Sequence, residues 1–148
     1  MKLQPGRKVG IKSGCFTLLH HGHIWMIEEC RRHCDYLILL TNSDSYIERK
    51  KGVVPISLLN RKHLLKSIWL VDEVHSFSEE TEDNWIKLFH DQVMPNKFKD
   101  CKLVVCHSWE TKGKENIPGK DYADEIVYIP HVIRTSTTDI FDKIRGTK

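Results

Sequence analysis

Ser13-Gly14-Cys15-Phe16-Thr17-Leu18-Leu19-His20-His21-Gly22-His23 is the stretch on which the reading of this chain turns. It follows a short run, Val9-Gly10-Ile11-Lys12, that reads as a strand, and it leads into an amphipathic helical pattern over Ile24–Cys34. A strand, a tight turn and a helix start carrying two imidazoles form a seat for phosphate. The N–H groups of a first helical turn and the positive end of the helix dipole both face an anion placed there. Gly22 lets the backbone come close where a Cβ would collide. His20 and His23 lie three residues apart, so both rings can point to one side of the turn. The chemistry suggested is binding and reaction at a nucleoside triphosphate.

Working outward, Asp35-Tyr36-Leu37-Ile38-Leu39-Leu40-Thr41 is a continuous apolar run of strand length, as expected of a central parallel strand. Asn42-Ser43-Asp44 closes it with turn-forming side chains. Ser57 is placed to cap a helix running to about Leu70, with Leu58, Leu65 and Ile68 at helical spacing. A short strand over Glu73–Phe77 and a helix over Asp83–Val93 follow. Strands over Lys102–Cys106 and Glu125–Ile129 and a helix over Ser136–Arg145 close the chain. Strands alternating with helices imply βαβ crossovers and a doubly wound parallel α/β sheet of about five strands, covered on both faces. Ligands of such sheets bind beyond the carboxyl ends of the strands, where the strand order reverses. The His20–His23 turn, Asn42–Asp44 and the stretch from His107 all fall at such ends.

Size and composition agree. A chain of 148 residues, with no internal repeat or linker, reads as one domain over 1–148. A net charge of +3, with Arg49-Lys50-Lys51 as the only dense basic run, excludes a nucleic-acid arm. No apolar run approaches the roughly 20 residues of a membrane span, and the N-terminus lacks a signal-like core, so no membrane association and a cytoplasmic location are expected. Five cysteines argue against a disulfide framework. Cys30 and Cys34 are in phase with Ile24 and Ile27, and they read as buried free thiols rather than as a metal site; Cys101 and Cys106 read as packing residues.

Gly14-Cys15-Phe16-Thr17-Leu18-Leu19-His20-His21-Gly22-His23, in the form Gly-x-Phe-x-x-x-His-x-Gly-His, resembles the signature of the cytidylyltransferase-like nucleotidyltransferases. These include glycerol-3-phosphate, choline-phosphate and ethanolamine-phosphate cytidylyltransferases and heptose-phosphate adenylyltransferases. Three further segments match in order. Asn42-Ser43-Asp44 through Lys51-Gly52 to Arg61 is similar to the family's second segment, whose lysine, on the loop after the second strand, reaches the α-phosphate. Lys51 fits that position, with Lys50 as its near-equal. Trp69-Leu70-Val71-Asp72-Glu73-Val74 resembles Arg-Tyr-Val-Asp-Glu-Val, which implies nucleotide support and a dimer interface. Arg134-Thr135-Ser136-Thr137-Thr138-Asp139-Ile140 is similar to Arg-Thr-Glu-Gly-Ile-Ser-Thr-Thr. There Ser136 and Asp139 form a capping box, and Ser136, Thr137 and Thr138 would hold the β- and γ-phosphates.

The resemblance implies a Rossmann-like fold and transfer of CMP from CTP to a small phosphorylated polyol or sugar, with release of pyrophosphate. His20, His23 and Lys51 are the expected catalytic groups. Gly14, Cys15, Phe16, Gly22, Lys50, Arg134, Ser136, Thr137 and Thr138 would bind the nucleotide. Thr17, Asp44, Arg61, His107 and Trp109 are expected around the acceptor or base. Mg²⁺ would be held mainly by phosphates, without a protein cage, and a homodimer is implied. An alternative is ATP-dependent transfer to a sugar phosphate such as heptose 1-phosphate, because Asn42–Asp44 and Ser76–Thr81 look more like the heptose enzymes. A second is a catalytically impaired nucleotide-binding paralogue, motivated by departures from the pattern. Thr17 replaces an aspartate, and Trp69 an arginine. His131 stands where the glycerol-phosphate enzymes have arginine, and Arg134 where they have glycine. Cys106-His107-Ser108-Trp109 keeps only the tryptophan of Gly-Asp-Asp-Trp. A synthetase-like fragment fails for want of length and of a lysine-rich second signature. A His20/His21/His23 metal site fails for want of a carboxylate or thiolate at suitable spacing.

Overall fold

Five segments form parallel strands, the central ones rich in branched apolar residues: β1 (Lys8–Gly14), β2 (Tyr36–Asn42), β3 (Glu73–Phe77), β4 (Lys102–Ser108) and β5 (Glu125–Ile129). Their order in the sheet is β3-β2-β1-β4-β5. The computed structural model describes residues 2–78, 82–130 and 136–146. Helices α1 (His21–Arg32), α2 (Asp44–Lys51), α3 (Leu58–Lys66), α4 (Glu82–Leu88), α5 (Met94–Lys97) and α6 (Thr137–Arg145) connect and flank the strands. The chain winds outward from β1 to β3, then crosses to β4 on the other side of β1. That reversal opens a crevice beyond the carboxyl ends of β1 and β4.

Strand alternation divides the core in two. Leu37, Leu39, Val104 and Cys106 pack under Ile27 and Cys30 of α1, Cys34 just after it, and Leu65 of α3. Ile11, Ile38, Leu40 and Val105 pack under Ile86, Phe89, Met94 and Phe98 on the other face. Gly10 is required at the first interface, because a Cβ there would stand 2.6 Å from Cys34 Sγ. The cysteines are free, and Cys30, Cys34 and Cys106 are buried as expected, with Cys101 half-buried. Burial pushes the Cys34 thiol up to about 12, so it stays protonated and inert.

Three aspartates set the strand register by one repeated device. Asp35 donates its N–H to Lys8 O (2.8 Å) and accepts Lys8 N–H on its carboxylate (2.9 Å). Asp72 does the same to Leu37 (2.9 and 2.8 Å), and Asp124 to Leu103 (2.8 Å for both). Each aspartate sits just before its strand and clasps the amino end of the neighbouring strand. Asp72 also binds Arg31 Nη1 at 2.7 Å, tying α1 to the same corner. The Trp69–Val74 segment therefore lies at the amino edge of the sheet, opposite the crevice. The nucleotide-support role implied for it does not hold, because its aspartate is spent on register.

The elements differ from expectation at four places. Helix α1 begins at His21 rather than Ile24. Residues after Asn42 form α2 rather than a loop, capped by Ser43 and ended by Gly52 at φ +77. Helix α3 stops at Lys66 rather than Leu70: Ser67 turns its hydroxyl back to His63 O (2.8 Å) and its N–H bonds tighten the last turn. The helix expected over Asp83–Val93 is interrupted by a π-turn at Phe89–Val93 ahead of Pro95, whose missing N–H and ring disfavour a regular turn there. Among the described residues no helix is long and apolar enough to cross a membrane.

The clasp has a measurable worth. Asp124→Ala removes a charge-assisted bond to a buried strand end and should cost about 1.5–3 kcal/mol, lowering the melting temperature by roughly 5 °C for a chain of this size. A variant melting with wild type would show that the register needs no such clasp.

Candidate active site

The crevice beyond β1 and β4 is a cavity of about 340 Å³. Its lining brings together Gly14, Cys15, Phe16, Thr17, His20, Gly22, His23, Lys50, Lys51, Ser136, Thr137 and Thr138. The starts of α1 and α6 and the end of α2 thus meet over the carboxyl ends of the central strands.

At the start of α1, two histidines do the work usually left to serine and glutamate. His20 is the N-cap, and its Nδ1 accepts the Gly22 N–H at 3.0 Å. His23 reaches back so that its Nδ1 accepts the His20 N–H at 3.2 Å. With both Nδ1 atoms accepting, the ring proton of each imidazole sits on Nε2. The rings stack at a centroid distance of 3.9 Å, and both line the cavity. Burial, then His20 and then Lys12, lower the His23 pKa to about 4. His23 is therefore a neutral donor at physiological pH. The expectation that free first-turn N–H groups face the anion is corrected here, since those of Gly22 and His23 are bonded to His20. The imidazoles of His20 and His23 line the cavity instead.

The turn before α1 is built to hold these rings. Phe16 adopts φ +48, uncommon for a residue with a side chain. Its ring lies 5.3 Å from that of His23, and its Cε2 would be 3.1 Å from a Cβ on Gly14. Gly14, Phe16 and His23 are thus one packing unit, which accounts for the Gly-x-Phe spacing.

Arg61 was expected near the acceptor or base, but it is 1% exposed and does not line the cavity. Its guanidinium donates to Cys15 O (2.9 Å), Thr41 Oγ1 (2.6 Å), Asn42 O (3.0 Å), Asp44 Oδ1 (2.8 Å) and Ile56 O (3.1 Å). It is a strut that fixes the turn carrying Phe16 against the start of α2, which carries Lys50 and Lys51. Asp44 is its partner rather than a cavity residue. Burial, the largest single influence, would raise the Asp44 carboxyl; the hydrogen bond from Arg61, the Leu58 N–H and the Arg61 charge together outweigh it and lower the pKa.

Two other expectations are corrected. His107 is 6% exposed and bonds Pro118 O through Nε2 (2.9 Å), so it holds the loop beside β4; burial lowers its pKa. Trp109 lies outside the cavity with the Lys112 ammonium 4.2 Å from its ring. Ser108 lines the cavity instead. Ser136 caps α6 by accepting the Asp139 N–H at 3.1 Å. His131 and Arg134 lie outside the described residues. Sequence reasoning missed Lys12, whose signal was a charge at the end of a buried central strand. It also missed Trp25, Met26, Ile129 and Pro130, which give one wall an apolar character.

No aspartate or glutamate is among the described residues lining the cavity. Nor do the described residues hold three potential metal ligands together. This donor set does not fit a resident Mg²⁺. It suits an anion.

A model of the cytidylyltransferase-like family matches residues 11–140, and the chain belongs to that family of nucleotidyltransferases. Similar proteins include the bifunctional protein HldE of Aliarcobacter butzleri, 35% identical over 95% of this chain, and that of Nitratiruptor sp., 34% identical over 95%. The chain spans about a quarter of the length of these curated relatives, 27% and 28%. Among solved structures, the lipopolysaccharide core biosynthesis protein of Thermoplasma volcanium superposes with a TM-score of 0.58 at 22% identity, covering 84% of this chain and 97% of that one. A bifunctional NMN adenylyltransferase/ADP ribose pyrophosphatase of Francisella tularensis gives 0.64 at 13% identity, covering 96% and 42%. These two confirm the doubly wound Rossmann-like fold.

Two outcomes follow from the geometry. Because the folded His23 pKa lies below its ordinary 6.5, the unfolded chain binds the extra proton, so stability is full above that value and is lost as pH falls toward about 4. The melting temperature should fall from pH ~7 to ~5, and less steeply in His23→Gln; a wild-type protein that gains stability on acidification would contradict this. Arg61→Ala should cost about 3–5 kcal/mol in urea unfolding. Arg61→Lys should recover little, since an ammonium lacks the planar fork. A lysine variant as stable as wild type would refute the strut.

Proposed function

We propose that this domain transfers a nucleotidyl group, AMP from ATP, to a small phosphorylated sugar of the heptose 1-phosphate class, releasing pyrophosphate. The observation that carries the reading is that His20 and His23, with their protons on Nε2, the two lysines and the α6 start line one cavity whose described lining holds no carboxylate. An acceptor phosphate oxygen attacks the α-phosphorus as the bond to the β-phosphate oxygen breaks, and pyrophosphate leaves with that electron pair. The acceptor is already an anion near pH 7, so no protein base is needed. Catalysis is positioning and charge stabilisation.

Each group then has one part. His20 and His23 donate to the phosphate chain as charge builds toward pyrophosphate. Lys51, with Lys50 beside it, neutralises the α-phosphate so that a second anion can approach. Ser136, Thr137 and Thr138 hold the β- and γ-phosphates at the positive end of α6. Gly14, Cys15, Phe16 and Gly22 shape the turn beneath. Magnesium enters as part of the metal–nucleotide substrate.

ATP replaces CTP as the favoured donor for two reasons. Asn42-Ser43-Asp44 and Ser76–Thr81 are similar to the heptose adenylyltransferases, and the HldE relatives fall on that side of the family. A homodimer that covers Trp69, which is 89% exposed, belongs to the same proposal.

A thermal-shift panel with Mg²⁺ and each nucleotide tests the donor, since preferential binding raises apparent stability. ATP should stabilise more than CTP; the reverse order restores the cytidylyl reading. His20→Ala and His23→Ala should each lower turnover by roughly 10²–10³-fold, the usual cost of one such donor, while the protein stays folded. Near-normal pyrophosphate release in either variant would sink the assignment, and no release by wild type with any nucleotide and sugar phosphate would favour a binding paralogue.

A further inference from the structure

Two polar groups at the floor of the cavity are left without the partners that burial demands. Lys12, the last but two residue of β1, is 9% exposed. Its ammonium donates to Ser13 O at 2.8 Å, and among the described residues no carboxylate lies within ion-pair distance of it. Glu82, which feels the Lys12 charge, instead accepts a hydrogen bond from Ser13 Oγ. Thr17 is 2% exposed, and its Oγ1 is a buried polar atom with no hydrogen-bond partner. Both residues line the cavity. A buried ammonium short of partners and an orphaned hydroxyl each cost stability in the free protein. Such costs persist where a ligand repays them.

The geometry points to Lys12 and Thr17 as the seat of the acceptor's phosphate. This rests on the nucleotidyl-transfer reading and deepens it. The nucleotide's own phosphates are served from the rim, by the starts of α1 and α6 and the end of α2. Lys12 and Ser108 come instead from the ends of β1 and β4, at the bottom of the crevice. With one donor given to Ser13 O, the ammonium keeps two and the hydroxyl adds one more, which together suit the oxygens of a phosphate monoester. Both hold and orient that phosphate; neither moves a proton or forms a bond. Because the described lining offers no carboxylate, the acceptor class is a phosphorylated sugar or polyol rather than a phosphate ester with a cationic head group.

Lys12→Met and Thr17→Val test this with inorganic phosphate as the probe and a non-transferable methylene analogue of ATP, with Mg²⁺, as the nucleotide. Both variants should melt at or above wild type without ligand, because each removes a poorly partnered buried polar group. Both should keep the wild-type shift with the nucleotide analogue. With the analogue saturating, calorimetry should show phosphate binding weakened about tenfold or more in Lys12→Met, in line with loss of a charged hydrogen bond, and by a few-fold in Thr17→Val. Wild-type phosphate affinity in Lys12→Met overturns the assignment. So does loss of nucleotide binding in parallel with phosphate, or a drop in ligand-free stability, which would make Lys12 a nucleotide or structural residue. A wild-type protein that binds the analogue but no added phosphate refutes this inference alone, whereas one that binds no nucleotide refutes the reading beneath it.

Discussion

Two backbone N–H groups at the start of α1 determine the chemistry of this crevice. A helix start must satisfy its free donors, and here Gly22 and His20 give theirs to the Nδ1 atoms of His20 and His23. The capping requirement thereby fixes two imidazole tautomers. Both rings keep their protons on Nε2, and burial keeps His23 uncharged. A neutral donor of fixed orientation stabilises developing negative charge without reorganising. Folding and the proposed nucleotidyl transfer thus use the same two side chains, at opposite edges of the ring.

The rest of the architecture holds that helix start opposite its partners. Gly14 and the left-handed Phe16 place an aromatic ring against His23. Arg61 binds the carbonyl of Cys15 and the side chain of Asp44, so the turn before α1 and the start of α2 move as one piece. At the far edge of the sheet, Asp35, Asp72 and Asp124 keep the strands in register. A register slip would displace the strand ends that form the cavity floor. The aspartates are remote from the crevice, yet they set its shape.

Much of this was legible in the amino-acid order, and the limits have physical causes. The strand, the turn and the helix start that turns two imidazoles into one crevice were readable before Ile24, because the spacing requires only local geometry. Helix α2 was hidden because it buries only Tyr46 and Ile47 and ends in a basic run that reads as solvated loop; Ser43 and Gly52 were its available caps. Arg61 and His107 were misplaced for one shared reason. Their partners, Cys15 O and Thr41 Oγ1 for one and Pro118 O for the other, arrive from distant segments. A periodic pattern cannot show that a polar residue is buried by such carbonyls. Lys12 was passed over because a lysine ending a strand normally reaches water, whereas here it closes the floor of a crevice.

The protonation pattern of His20 and His23 underlies both the helix cap and the crevice, and long-range ¹H–¹⁵N correlation of the imidazole nitrogens at neutral pH reads it directly. Both rings should show the Nε2–H form, with Nδ1 acting as acceptor. Their Nε2 resonances should move when ATP and Mg²⁺ are added. Rings protonated on Nδ1, or Nε2 signals that ignore the nucleotide, would contradict the capping arrangement and the phosphate site built upon it.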